Sequence, residues 1–227
     1  MVGDHMTGET KNLFDIILNT VALVGAAIAF CTGLRQWRRA QTWQRAEKLD
    51  KFIEKFDSDK LLRLAAIIID WTERRVTFEG RPFTVTNKEA LLALRDHRTI
   101  KKLSPVEEQD MKNEQDLNKK DPMFPGEQST LRDSYDALLG FFERLELAIS
   151  SKLIDAKPAK ACFSYWLEHF LLFDKHPDRD GVLNGITPQA MVVGYIVAYG
   201  DYQSILRLCD HFSITPPPGL TEEKERK

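Results

Sequence analysis

The sequence predicts an all-α protein in which an N-terminal transmembrane helix continues into a cytoplasmic helical bundle, with room for one small β-hairpin. Three observations carry that prediction. Nineteen consecutive residues, Ile16 to Leu34, carry no charge and are followed at once by Arg35, Gln36, Trp37, Arg38 and Arg39. Apolar residues then recur at spacings of mostly three or four through Trp37, Ala40, Trp43, Leu49, Phe52, Ile53 and Phe56, with no Pro or Gly between Leu34 and Asp57. Beyond them lie further apolar runs with helical periodicity, separated by proline, glycine and densely charged stretches.

Residues 1–12 form a leader and residues 13–35 the span. At about 1.5 Å per helical residue the uncharged stretch covers roughly 28 Å, close to the roughly 30 Å of a bilayer's hydrocarbon core. Ile16, Ile17, Leu18, Val21, Leu23, Val24, Ile28, Phe30 and Leu34 together favour insertion by about 3 to 5 kcal/mol. Asn19, Thr20, Thr32, Gly25 and Gly33 oppose it, so Asn19 is expected to find a partner inside the membrane. Lys11 stands before the span beside Asp4, Glu9 and Asp15, whereas Arg35, Arg38, Arg39, Arg45 and Lys48 follow it. The cationic side belongs in the cytoplasm. Trp37 and Trp43 suit the headgroup layer, where an indole is apolar on its body and wet at its N–H. An acidic leader without a small-x-small site does not read as a cleaved secretory signal.

A juxtamembrane helix over 36–56 continues the span, so that one helix runs from about Leu13 to about Phe56. The cytoplasmic helical domain occupies 57–213. Asp57 or Ser58 is expected to cap a second helix, and Leu61, Leu62, Leu64, Ala65, Ala66, Ile67, Ile68 and Ile69 make that helix core. Val76-Thr77-Phe78 and Phe83-Thr84-Val85 flank Glu79-Gly80-Arg81-Pro82 as a hairpin, with Pro82 holding it at an edge. Thr86 and Glu89 then make a capping box for a short helix.

From 98 to 126 the chain is rich in charge and poor in large apolar groups, which predicts a solvated polar loop. Thr130 and Asp133 open the clearest amphipathic helix, with Leu131, Tyr135, Leu138, Phe142, Leu145, Ile149 and Leu153 on one face. Pro158 marks another helix, and Thr187-Pro188 begins a last pair, Met191 to Tyr199 and Tyr202 to Phe212, bent at Gly200-Asp201. Pro216, Pro217 and Pro218 are expected to end ordered structure, leaving 214–227 a loose tail.

The chain has 227 residues, a formal net charge of -2 and a pI near 6.2, so there is no overall electrostatic pull towards nucleic acid. Cys31, Cys162 and Cys209 are three widely spaced cysteines in apolar runs, which fits free thiols in a reducing compartment. Asp174, His176, Asp178 and Asp180-Gly181 resemble a calcium loop only until the glutamate position, which is unfilled, and turn chemistry explains them better. No phosphate loop, nucleophile elbow or HExxH is present, and no cofactor or metal is implied.

Function is therefore sought first in the span. Asn19, Ala26 and Gly33 are seven apart, and Ala22 and Ala29 fall between them at the same spacing. Gly25, Ala29 and Gly33 add a small-xxx-small series, so one face of the helix is small or polar while the opposite face is large. Such a face predicts self-association, and the sharpest form of that reading is a pore. For catalysis the inventory is thin: of five histidines, only His211 follows an arginine, Arg207, by one helical turn. An Arg to stabilise phosphate charge and a His to move a proton are what ribonuclease chemistry needs. A surface pair near a helix C-terminus is the commoner reading.

The run Trp43-Gln44-Arg45-Ala46-Glu47, then Phe56, then Leu61 through Asp70-Trp71 directly after a single span, resembles a family of small bacterial membrane-anchored helical proteins. A later helix like Leu138 to Leu147 contributes to the core in that family. The architecture is more loosely similar to the pore-forming accessory membrane protein of some RNA-targeting CRISPR systems, which carries a divergent helical nuclease-like domain. That resemblance implies a bacterial inner-membrane location, a homo-oligomer, a protein partner from a defence locus and an effector that depolarises an infected cell. The nuclease pattern has four to six residues between Arg and His, where Arg207 and His211 have three. The expectation is a self-associating, non-enzymatic membrane effector; a membrane-tethered ribonuclease and a scaffold that docks a partner on the bilayer are the alternatives.

Overall fold

Helix α1 runs without interruption from Gly8 to Ser58 in the computed structural model, which describes residues 8–70, 74–78, 80–94, 126–173 and 187–225. The leader up to residue 7, nearly all of the expected 98–126 loop and the Asp174 to Gly181 turn lie outside the described residues. The chain divides into two units, Met1–Glu47 and Lys48–Lys227. In the first, α1 exposes its large apolar side chains from Ile17 to Leu34 on every face. In the second, Leu49 and Phe56 of the same helix are buried.

The second unit is the expected helical bundle. After α1 come α2 (Lys60–Asp70), strands β1 (Arg74–Phe78) and β2 (Arg81–Val85), and α3 (Asn87–Ala93). Then follow α4 (Gly126–Ser150), α5 (Ala156–Leu171), α6 (Pro188–Tyr199), α7 (Tyr202–Phe212) and α8 (Pro218–Glu225). Helix α4 is the centre, packed against α2, α3 and α7. Its Tyr135, Leu138, Phe141, Phe142 and Leu145 are fully buried, at the three-and-four spacing that a core-facing stripe requires. Phe56 brings α1 into this core: its ring lies 5.2 Å from Phe141 and 5.7 Å from Phe163. Burying such a ring contributes about 1.5 to 3 kcal/mol.

The hairpin forms, with Val76 opposite Phe83, but its connection is tighter than the four residues read from the sequence: Arg81 and Pro82 belong to β2, opposite Phe78 and Thr77, and Gly80 turns the chain at φ 80°. Val76, Phe83 and Val85 are buried on one side. The Thr86 capping box is present in both directions, Glu89 N–H to Thr86 Oγ1 at 3.3 Å and Thr86 N–H to Glu89 Oε2 at 2.9 Å. Thr187 caps α6 through the Ala190 N–H at 3.2 Å, with Pro188 at the first position.

Five local expectations are corrected. Thr130 and Asp133 do not open α4, which begins at Gly126. Neither Asp57 nor Ser58 caps α2; Asp59 does, its Oδ1 accepting from the N–H groups of Leu61 at 2.9 Å and Leu62 at 3.3 Å. Leu153 is 55 % exposed, because α4 ends at Ser150 and Lys152 takes φ 58°, which breaks the helical register and gives the buried position to Ile154. Gly200 and Asp201 do not bend one helix but separate two, Gly200 closing α6 and Asp201 capping α7 by accepting from the Gln203 N–H at 3.1 Å. The tail is helical from Pro218 to Glu225. Pro218 begins α8, where a missing N–H costs nothing, and Leu220 is fully buried against the unit formed by α6 and α7.

Candidate functional site

The membrane-type segment is built by composition alone. Ile17, Leu23, Ile28 and Phe30 are 54 to 73 % exposed, and among the described residues no core covers them. It is the one described helix long and apolar enough to cross a membrane. Asn19, Ala22, Gly25, Ala26, Ala29 and Gly33 are likewise exposed, and a Cβ added at Gly25 or Gly33 would meet nothing within 4 Å. The small face is therefore open. Thr32 satisfies its hydroxyl inside the helix, donating to the carbonyls of Ile28 at 3.0 Å and Ala29 at 2.9 Å, which is what a hydroxyl needs where water is excluded. Arg35, Trp37, Arg38, Arg39 and Trp43 follow as an exposed band, with the indoles 57 and 77 % accessible.

Arg207 and His211 sit one turn apart on α7 and both meet α4. Arg207 grips Glu146 with two parallel bonds, Nε to Oε1 at 2.8 Å and Nη2 to Oε2 at 3.2 Å. Glu146 is 2 % exposed and Arg207 49 %, so the carboxylate is interior and its partner reaches in from the surface. Ser150 donates to Glu146 Oε1 at 2.5 Å. Because that uses the single Ser150 proton, the 3.4 Å contact between Ser150 Oγ and His211 Nε2 requires His211 to be the donor. On its other side Arg207 Nη2 donates to Ser204 Oγ at 2.9 Å, and Ser204 donates to Asp201 Oδ2 at 2.6 Å. Asp201 in turn donates its backbone N–H to Glu143 Oε1 at 2.7 Å.

This is a polar seam between two helices. The Arg207 bond holds the Glu146 carboxyl below its ordinary range against the opposing effect of burial, and Glu146 raises Arg207 in return. Two of the guanidinium nitrogens are already spent on protein partners, which is the employment of a structural clamp more than of a phosphate-stabilising arginine. Glu146 was the residue to find in the sequence: it lies four after Phe142 and three before Ile149, on an otherwise apolar face.

Two further polar pairs tie the bundle. The Tyr195 hydroxyl donates to Asp136, beneath an Arg132 guanidinium lying 5.1 Å from the Tyr195 ring centre and 4.3 Å from that of Tyr199. Tyr165 donates to Asp70. Burial pushes the Cys209 thiol up to about 12, so it is an inert core thiol. No group of three or more His, Cys, Asp or Glu that could hold a metal occurs among the described residues.

Comparison with protein-family models, with curated proteins and with solved structures found no match.

Proposed function

We propose that the chain is a single-span protein of a bacterial inner membrane, with Lys48–Lys227 in the cytoplasm, that self-associates through α1 and acts as a membrane effector of a defence-type system. The observation that supports this reading most is the stretch from Ile17 to Leu34, a continuous helix whose large side chains face no protein while the bundle closes its own core without them. In water such a surface is strongly unfavourable; in lipid it costs nothing. The excess of Arg35, Arg38, Arg39 and Arg45 over Lys11 supports the orientation. The small face supports pairing of copies, since hydrophobicity does not drive helix association in a bilayer and close backbone approach does. A pore lined by Asn19 and the small residues is the sharper form.

Disulfide trapping in membranes tests the pairing. At roughly 100° per residue the native Cys31 falls on the side of α1 opposite Ala26. In a chain that carries Cys162→Ser, Ala26→Cys with Cys31→Ser is expected to cross-link on mild oxidation, and the native Cys31 to leave the chain monomeric on a gel. Equal cross-linking at both positions, or at neither, removes the seam. A potential-sensitive dye then separates pore from scaffold: Asn19→Leu with Gly25→Leu abolishes permeabilisation in the first and changes nothing in the second. The ribonuclease reading requires His211→Ala to abolish toxicity, and the Glu146 clamp on Arg207 argues that it does not.

A further inference from the structure

The hairpin leaves a cleft against α2 that none of the readings above uses. It has a volume of about 490 Å³, within the usual range of small-molecule sites. Lys60 and Arg63 of α2 and Arg74 and Arg75 of β1 line it, and no described lining residue is acidic. Leu64, Ile67, Val76 and Phe78 supply an apolar floor, with Leu64 and Val76 buried. All five residues of β1 line the cleft, although alternate side chains of a strand point to opposite faces. A cavity that runs along the edge of β1 away from β2 accounts for that, and such an edge carries backbone N–H groups. A second hollow of about 300 Å³ shares Arg63, Ile67 and Arg74 with the first and adds Phe56, Trp166 and two carboxylates, Asp57 and Asp70, which do not line the first. The two hollows thus meet at two guanidinium groups.

Cations gathered round one concavity repel each other, and a low-dielectric floor strengthens whatever field they make there. Arginine is the side chain whose planar fork matches phosphate oxygens, and strand-edge N–H groups add neutral donors. We propose that this cleft binds a phosphate-bearing ligand with at least two negative charges, its phosphates held by Lys60, Arg63 and Arg75 and an apolar or flat body lying on Ile67, Val76 and Phe78. The phosphate can belong to a soluble nucleotide or to a lipid headgroup, and the chemistry of the site is the same for both.

The test uses the full chain in phosphatidylcholine nanodiscs. Titration calorimetry with ADP and with inorganic pyrophosphate is expected to show saturable binding. Arg63→Gln with Arg75→Gln weakens it about tenfold or more, as loss of two charge-assisted contacts requires. ADP is expected to bind more tightly than pyrophosphate, through the apolar floor. Both arginines are exposed, so the variant is expected to keep the wild-type melting temperature in ligand-free discs. A melting temperature raised by phosphatidic acid in the disc for the wild type alone, with no ADP or pyrophosphate binding, assigns the phosphate to the headgroup and upholds the cleft. Absence of both effects overturns the proposal. So does binding of a single-stranded RNA oligonucleotide through the same arginines without any binding of ADP, which would make the surface a nucleic-acid contact.

Discussion

Two of the described helices carry a stretch that is apolar nearly all round, and the two stretches meet opposite fates. From Ile17 to Leu34, α1 leaves every large side chain exposed, whereas α6, the 12-residue helix Pro188–Tyr199, buries Met191, Val192, Tyr195 and Ile196 in the bundle. Composition hardly separates them. What separates them is length and cover: α6 is too short to cross a bilayer and is wrapped by α5 and α8, while the apolar part of α1 is long enough to cross one and meets no protein among the described residues. Hydrophobicity therefore tells that a segment leaves water, not what replaces the water.

A charge placed in each helix breaks this comparison most sharply. Val192 is fully buried, so Val192→Arg places an unpaired guanidinium in the core and is expected to cost more than about 4 kcal/mol, enough to unfold the bundle. Val24→Arg removes about 3 kcal/mol of insertion free energy from a span that has roughly 3 to 5 kcal/mol to spend. Its effect is expected in the carbonate-resistant membrane fraction, which falls, and not in the urea midpoint of the bundle. A bundle destabilised by Val24→Arg would mean that α1 is a core helix whose cover has been missed.

Polar groups divide the two regions in the same way. In α1 Thr32 bonds within its own helix, whereas in the bundle Glu146 is satisfied from another helix by Arg207. Arg207→Ala leaves an interior carboxylate held by serine hydroxyls alone and is expected to cost about 2 to 4 kcal/mol in urea unfolding of the detergent-solubilised chain. Joint replacement of Glu146 and Arg207 by leucine is expected to recover most of that loss, since it removes the buried charge as well as its partner. A single and a double variant of equal stability would show that Glu146 is not an interior charge.

How much of this could be read beforehand follows from the range of each signal. Signals confined to a few neighbouring residues were legible: the Thr86 and Thr187 caps, the hairpin around Gly80 and the uncharged length of α1. Signals that need a partner far along the chain were not. Pro218 looks like a stop until Leu220 finds the bundle. Arg207 and His211 were visible as an i, i+4 pair, but the Glu146 and Ser150 that engage them are 61 residues away in both cases. The cleft between α2 and β1 was invisible for the same reason, because Arg63 and Arg75 are brought together only by the fold.

Glycine sharpens the contrast at lower cost. A Cβ at Gly200 would lie 2.4 Å from Leu139 Cδ2 and 3.1 Å from the Ile196 carbonyl oxygen, with Leu139 itself buried. Gly200→Ala is expected to cost about 1 to 3 kcal/mol in the urea midpoint. Gly25→Ala meets no atom and is expected to leave that midpoint unchanged, while weakening the cross-linking that the small face permits.

The smallest effect is titration, and it too falls on one region only. Between Ile16 and Leu34 there is no Asp, Glu, Lys, Arg or His, so the span has no acid or basic side chain to gain or lose charge. In the bundle, Glu146 is lowered by Arg207, which means that its contribution is present above the ordinary carboxylate range and is lost as the pH falls through its folded value. Tyr195, raised by burial and by Asp136, and Tyr165, raised by Asp70, act at the other end. The folded state keeps those protons when the unfolded state releases them, so stability falls as the pH rises above about 10. The urea midpoint of the detergent-solubilised chain is therefore expected to be a plateau with an acid and an alkaline shoulder. Arg207→Ala removes the clamp that lowers Glu146 and is expected to flatten the acid shoulder, while Tyr195→Phe flattens the alkaline one. An acid shoulder unchanged in Arg207→Ala would transfer the titration to another carboxylate and take from Glu146 its role as the pH-dependent tie between α4 and α7.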